Sequence, residues 1–166
     1  MASMRIALIA PAVLLATASA AAPAPAGIPT NPMSFFVGRT EGSGQVKVIF
    51  HAAYSTRNIG EGRIEPDGSL VLVQQVFDQG KPPHERSWHV RELGPGRFTG
   101  TMSEAVGPVT IEQVGNGYRF RFAMDGHLDV EQMLVPLAGG RSASSNAEIR
   151  KFGFVVARTS GIERKV

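Results

Sequence analysis

No cysteine occurs in the 166 residues. Thiol catalysis, cysteine-ligated zinc and disulfide staples are therefore excluded, and so is the lipidated cysteine of a lipoprotein. The chain must be held together by apolar burial alone, and it is long enough to build a core. Ile6 to Leu15, an apolar run broken by Pro11, is far shorter than the ~20 residues of a membrane-spanning helix, and no later run is long enough. Charge of one sign is also scarce. A formal +3 offers little footprint for a nucleic-acid partner.

The N-terminus is what a secretory signal leaves. Met1 to Arg5 is positive, Ile6 to Leu15 apolar, and Ala18-Ser19-Ala20 a small-residue cleavage site. Residues 1–20 read as a signal peptide, 21–33 as an Ala/Pro-rich leader, and 34–166 as one domain. The mature protein reads as soluble in an extracytoplasmic space, the periplasm, with no transmembrane span.

Glycine is abundant, at 19 residues, and turn signals recur about every ten residues between hydrophobic runs, the spacing of an all-β sandwich or barrel. Phe36 to Glu41 leads through Gly42-Ser43-Gly44 into Gln45 to His51. Arg57 to Glu65 follows, its Gly60 and Gly62 predicting a bend or bulge. After Pro66-Asp67-Gly68 comes Ser69 to Asp78, and after Gln79 to Pro83 comes Glu85 to Leu93 with the only tryptophan, Trp88. Arg86 to Met124 reads as a meander of short strands separated by Gly94-Pro95-Gly96, Gly107-Pro108 and Gly115-Asn116-Gly117. Its Asn-Gly step suits a type I′ hairpin turn. Tyr118, Phe120, Phe122 and Met124 alternate with Arg119, Arg121 and Ala123, the period of a strand with one buried face. His127 to Leu137, Arg141 to Lys151 and Phe154 to Thr159 complete the series before a polar tail, GIERKV. The fold class is all-β: about ten strands in a closed up-and-down antiparallel barrel, which hides both sheet edges. A two-sheet sandwich is the alternative.

The order of Arg86-Ser87-Trp88, Arg97-Phe98-Thr99-Gly100-Thr101, Ala105-Val106-Gly107, Gly115-Asn116, Asn146 and Lys151-Phe152-Gly153-Phe154-Val155-Val156-Ala157 resembles the bacterial domain-of-unknown-function family 3833. These are envelope proteins, often lipoproteins. The likeness runs from about Phe36 to Ala157 and implies a lipocalin-like barrel without implying a reaction. The pattern departs where no lipobox cysteine precedes Met33, where Met133 replaces an expected tryptophan, and where Ala147 replaces an expected arginine.

His127-x-Asp129-x-Glu131 is the most site-like cluster, since residues two apart on a strand share a face. It suits general-base chemistry or an oxygen/nitrogen metal site, but alternation already predicts polar residues on the outer face of this strand, and that is the reading taken. Trp88, Phe98, Tyr118, Phe120 and Phe122 either line a ligand cavity or fill the interior. Arg119 and Arg121, with Arg97, Arg86 and Arg91, form a basic stripe for an anionic headgroup, or pair with carboxylates on the wall. His84 and His89 fall on opposite faces and His51 stands alone, so no metal site is predicted, and no cofactor motif occurs. Ser142, Ser144 and Ser145 lack a nucleophile elbow. The residues read as a binding module for an apolar or amphipathic, lipid-like molecule. An envelope structural or interaction protein, or a small hydrolase or isomerase using His127, Asp129 and Glu131, are the alternatives.

Overall fold

The computed structural model describes residues 31–166. The predicted signal peptide and residues 21–30 of the leader lie outside the described residues. A short helix, α1 (Pro32–Phe35), precedes β1 (Gly38–Val48), β2 (Tyr54–Ile64), β3 (Leu70–Asp78), β4 (His84–Gly94) and β5 (Arg97–Met102). β6 (Ala105–Val114), β7 (Gly117–Met124), β8 (Leu128–Pro136), β9 (Ser142–Lys151) and β10 (Phe154–Lys165) follow. Every strand pairs antiparallel with its sequence neighbours, and β1 pairs with β10 to close the barrel. The closed barrel, not the sandwich, is the fold. Among the described residues no helix is long and apolar enough to cross a membrane.

Several glycine signals have a different meaning from the one the sequence suggests. Gly42-Ser43-Gly44 is no turn but the middle of β1, paired on both sides. Added side chains there would strike β10 and the residues facing it, so these glycines thin the wall where strands crowd. Gly60 and Gly62 make no bulge either, since β2 keeps an unbroken register with both neighbours. Gly107-Pro108 does not end a strand. It bulges within β6, the register jumping between Val106 and Thr110, because proline offers no ladder N–H. The turn lies earlier, between β5 and β6, at Ser103 and Glu104. The β6–β7 hairpin is present, with Val114 paired to Gly117. Its positive φ falls on Gly115 alone, at 59°, which is the φ signature of a type II′ turn in place of type I′.

The domain also begins earlier than the leader boundary implies. Asn31 caps α1, its Oδ1 accepting from Met33 N at 2.8 Å, and Pro32 takes the first helical turn, where its missing N–H costs nothing. Met33 and Phe35 are buried in the core cluster with Leu70, Phe98 and Tyr118. Burial of these two side chains stabilises the fold by roughly 3–6 kcal/mol. Lys165 Nζ ties the helix to the end of β10 by donating to Ser34 O at 2.9 Å. The helix is thus a plug in one end of the barrel. Its seat is Gly62, where a methyl group would collide with the Phe36 carbonyl oxygen.

Gly62→Ala is expected to lower stability by about 1–3 kcal/mol through this backbone clash. Gly94→Ala, whose methyl would meet only the Arg97 guanidinium at 3.6 Å, changes it by less than about 0.5 kcal/mol. Denaturant midpoints of the two variants check the difference.

Candidate functional site in the barrel lumen

Strand alternation sends one face of every strand into the lumen, and the lumen changes character along the barrel axis. On one side, beneath α1, it is filled. Phe98 and Tyr118 are each 1% exposed and meet edge to face at 6.3 Å. Half-way along, a cavity of about 80 Å³ opens between Trp88, Phe120, Leu72, Gln74, Asn58 and Glu163, with Met33 and Phe36 of the plug region on its wall. Beyond it Phe122 abuts Trp88 edge-on at 6.0 Å. The aromatic residues therefore divide: Phe98 and Tyr118 fill the interior, Trp88 and Phe120 line the cavity, and Phe122 buttresses Trp88.

A chain of hydrogen bonds crosses this middle layer. Trp88 Nε1 donates to Gln74 Oε1 at 2.8 Å, Gln74 Nε2 to Asn58 Oδ1 at 3.2 Å, and Asn58 Nδ2 to Glu163 Oε1 at 3.0 Å. The other carboxylate oxygen, Glu163 Oε2, is buried without a hydrogen-bond partner. Burial pushes the Glu163 carboxyl above its ordinary range, against the opposing pull of the Asn58 amide and the more distant Arg86 charge. Room for the pair comes from Gly42, which stands opposite Glu163 in the β1–β10 ladder. A Cβ at that position would collide with Asn58 and Glu163. Arg86 also reaches the cavity wall, but Glu104 holds its guanidinium at 2.8 Å and accepts from His84 Nε2 at 2.9 Å.

Of the two readings of the arginines, pairing with carboxylates on the wall is what Arg119 and Arg121 do. Arg119 and Arg121 alternate with Phe120, so they project from the outer wall. There Arg119 pairs with Glu112, and Arg121 pairs with Glu131 at 2.9 Å and Glu112 at 3.3 Å. The structure does not bring His127, Asp129 and Glu131 together on one strand face. His127 precedes β8, in the turn, with φ 62°, and its ring lies 5.3 Å from that of Phe152. Glu131 is on the outer wall, and the hydrogen bond from Arg121 holds its carboxyl below the ordinary value, which weakens it as a proton acceptor. His89 and Ser69 do meet, Nε2 to Oγ at 2.9 Å. The hydroxyl, however, also reaches Asp67 Oδ1 at 2.6 Å, and Asp67 accepts from Ser69 N at 2.9 Å. With serine in the middle and buried, the group clamps the β2–β3 turn.

Sequence reasoning missed Asn58, Gln74 and Glu163. Gln74 interrupts an apolar run, a polar residue where none is expected. Glu163 falls in the segment read as a polar tail, whose first five residues are the end of β10.

A family model described as "Protein of unknown function (DUF3833)" matches residues 23–161. The chain belongs to this family. No curated protein matches it. Among solved structures, the S-type phycobiliprotein lyase CPES of Guillardia theta is similar in fold, with a TM-score of 0.61 at 9% identity, covering 81% of this chain and 90% of the lyase. That likeness establishes a lipocalin-like barrel for this DUF3833 protein. Ala147 is buried beside Gln132 in the ladder. Met133 lies on the opposite face of β8 from the cavity-lining Gln132 and Leu134.

A carboxyl whose native pKa lies above its unfolded value is protonated in the folded state after the unfolded chain has ionised. Stability from Glu163 is then complete at acidic pH and falls as pH rises from the ordinary carboxylate range to the raised native value. Glu163→Gln should remove that fall and leave the variant more stable than the parent at neutral pH. Denaturant midpoints between about pH 4 and pH 8 test it; parallel profiles would contradict the buried, shifted carboxyl.

Proposed function

We propose that this DUF3833 protein binds a slender apolar or amphipathic, lipid-like molecule in the barrel lumen, with its polar group on Glu163. The observation that carries the reading is the buried, unpartnered Glu163 Oε2 at the wall of an otherwise largely apolar cavity. A buried acceptor without a partner costs roughly 1–3 kcal/mol, more when charged, and a ligand hydroxyl or amine would recover it. The lipocalin-like barrel it shares with the phycobiliprotein lyase supports a small-molecule ligand. The signal-like N-terminus supports residence outside the cytoplasm, in the periplasm.

The cavity of about 80 Å³ is smaller than the roughly 300–1,000 Å³ of pockets that take drug-sized ligands. In the closed form it holds a few water molecules or one small group. Binding a whole chain therefore requires α1 to withdraw, since Pro32, Met33 and Phe36 form part of the wall. The contacts to displace are the two buried side chains and the Lys165 tether.

Trp88, the only tryptophan, reports on the site directly. Titration with an eighteen-carbon fatty alcohol, amine and acid should shift its emission with the alcohol and amine and far less with the acid, whose carboxylate meets Glu163. Glu163→Gln should weaken amine binding by roughly tenfold or more, the loss of a charge-assisted hydrogen bond. Met33→Ala should admit the chain more readily. If none of the three amphiphiles perturbs Trp88, and protein purified from its own cells carries no bound small molecule by native mass spectrometry, the reading fails.

A further inference from the structure

All the phenylalanines strongly exposed among the described residues stand at the rim opposite α1: Phe50 at 99%, Phe152 at 70% and Phe154 at 78%. They occupy the tips of the β1–β2 and β9–β10 hairpins, which barrel closure makes neighbours. The ladder runs to Val48–Ala157, and Ile49 N donates to Val156 O at 2.9 Å just beyond it. Phe50 and Phe152 hold φ of 61° and 50°, a left-handed conformation that bulky residues rarely adopt. The strain is not offset by burial, because the rings point into solvent. Beside them a cleft of about 480 Å³ runs between Val106, Met124, Leu128 and Phe152, with Asp125, His127 and Asp129 of the β7–β8 turn region on its wall.

Charge at these tips has one sign. From Gln45 to Ile59 the charged residues are Lys47 and Arg57, and from Ile149 to Ile162 they are Arg150, Lys151 and Arg158, with no aspartate or glutamate in either stretch. Arg150 and Arg158 both pair with Glu148. Lys47 and Lys151 make no ion pair among the described residues, and Lys151 Nζ lies 5.8 Å from the Phe152 ring centre. The opposite rim differs: it exposes the aliphatic Ile64, Leu93, Val114 and Leu137 and no phenylalanine, and it mixes both signs of charge, Glu65, Asp67, Glu92 and Glu112 beside Arg63, Arg97, Arg141 and Lys165.

We propose that the aromatic rim docks on an anionic phospholipid bilayer. Hairpin tips at one end of a barrel reach a common plane, and a bilayer surface is a plane. Exposed rings enter the headgroup boundary, while lysines at its level meet lipid phosphates, and the two signals together give stable attachment where either alone is marginal. This surface is independent of the lumen reading and stands or falls without it.

Absence of cysteine makes the test clean, because one engineered thiol carries an environment-sensitive dye. His51→Cys places it on the aromatic rim and Ala138→Cys on the opposite one. With vesicles rich in phosphatidylglycerol the rim dye should shift to the blue and the opposite dye should not; with phosphatidylcholine vesicles the rim shift should be weak. In a Phe50→Asn, Phe152→Asn, Phe154→Ser background, apparent vesicle affinity at the rim should fall at least roughly tenfold. Asparagine tolerates the left-handed backbone, and unchanged Trp88 emission shows that this background folds. Equal shifts at both rims, no shift at either, or a rim shift that survives loss of the rings overturns the proposal. So does a rim shift without vesicles that grows with protein concentration, which would make the occupant a second copy of the chain.

Discussion

Closure of the sheet between β1 and β10 is the constraint on which the molecule depends. The ladder from Thr40–Lys165 to Val48–Ala157 joins the first and last strands of the chain and removes the two edges that an open meander would expose. It places Glu163 in the lumen, sets the two phenylalanine-bearing hairpins side by side, and brings Lys165 to the helix plug. Each of these lies more than a hundred residues from its partner in sequence, so the loop-closure entropy for this contact is among the largest in the fold. A cysteine-free chain meets that cost through burial and ladder hydrogen bonds alone.

Close packing at the seam explains glycines that otherwise look like turns. Gly42, Gly44 and Gly161 leave no room for a methyl group, because the partner strand or an inward side chain already occupies the space. The same thinning that lets the barrel close makes room for Asn58 and Glu163. The buried polar pair and the closed seam share a cause. A polar layer at that depth breaks the rule that buried polar atoms are paired, and Glu163 Oε2 is where it breaks. Native folds retain such exceptions where a ligand, a water or a proton completes the set.

The barrel itself is legible in the sequence. Strand alternation in Tyr118–Met124, glycine punctuation and short connections led to an antiparallel meander of about ten strands, and the family resemblance led to a lipocalin-like barrel. Local signals failed where glycine had two meanings: Gly42-Ser43-Gly44 and Gly107-Pro108 look alike in sequence, yet one lies in a regular strand and the other is a bulge. The site was less legible. Trp88 and Phe120 were among the candidates, but Asn58, Gln74 and Glu163 come from three strands and carry no motif. Arg119 and Arg121 were visible as a pair, and the alternation that buries Phe120 sends them outward to Glu112 and Glu131.

The sequence by itself determined the period of each strand, the positions of most turns, the exclusion of thiol chemistry and the family, because these follow from local sterics, composition and residue order. Only the tertiary structure decided that the segment read as a polar tail is part of a barrel strand, that a helix straddling the leader boundary plugs the lumen, and that a carboxyl in that segment is buried. Those outcomes depend on which distant residues share an interior once the sheet has closed, and strand periodicity alone does not contain that information.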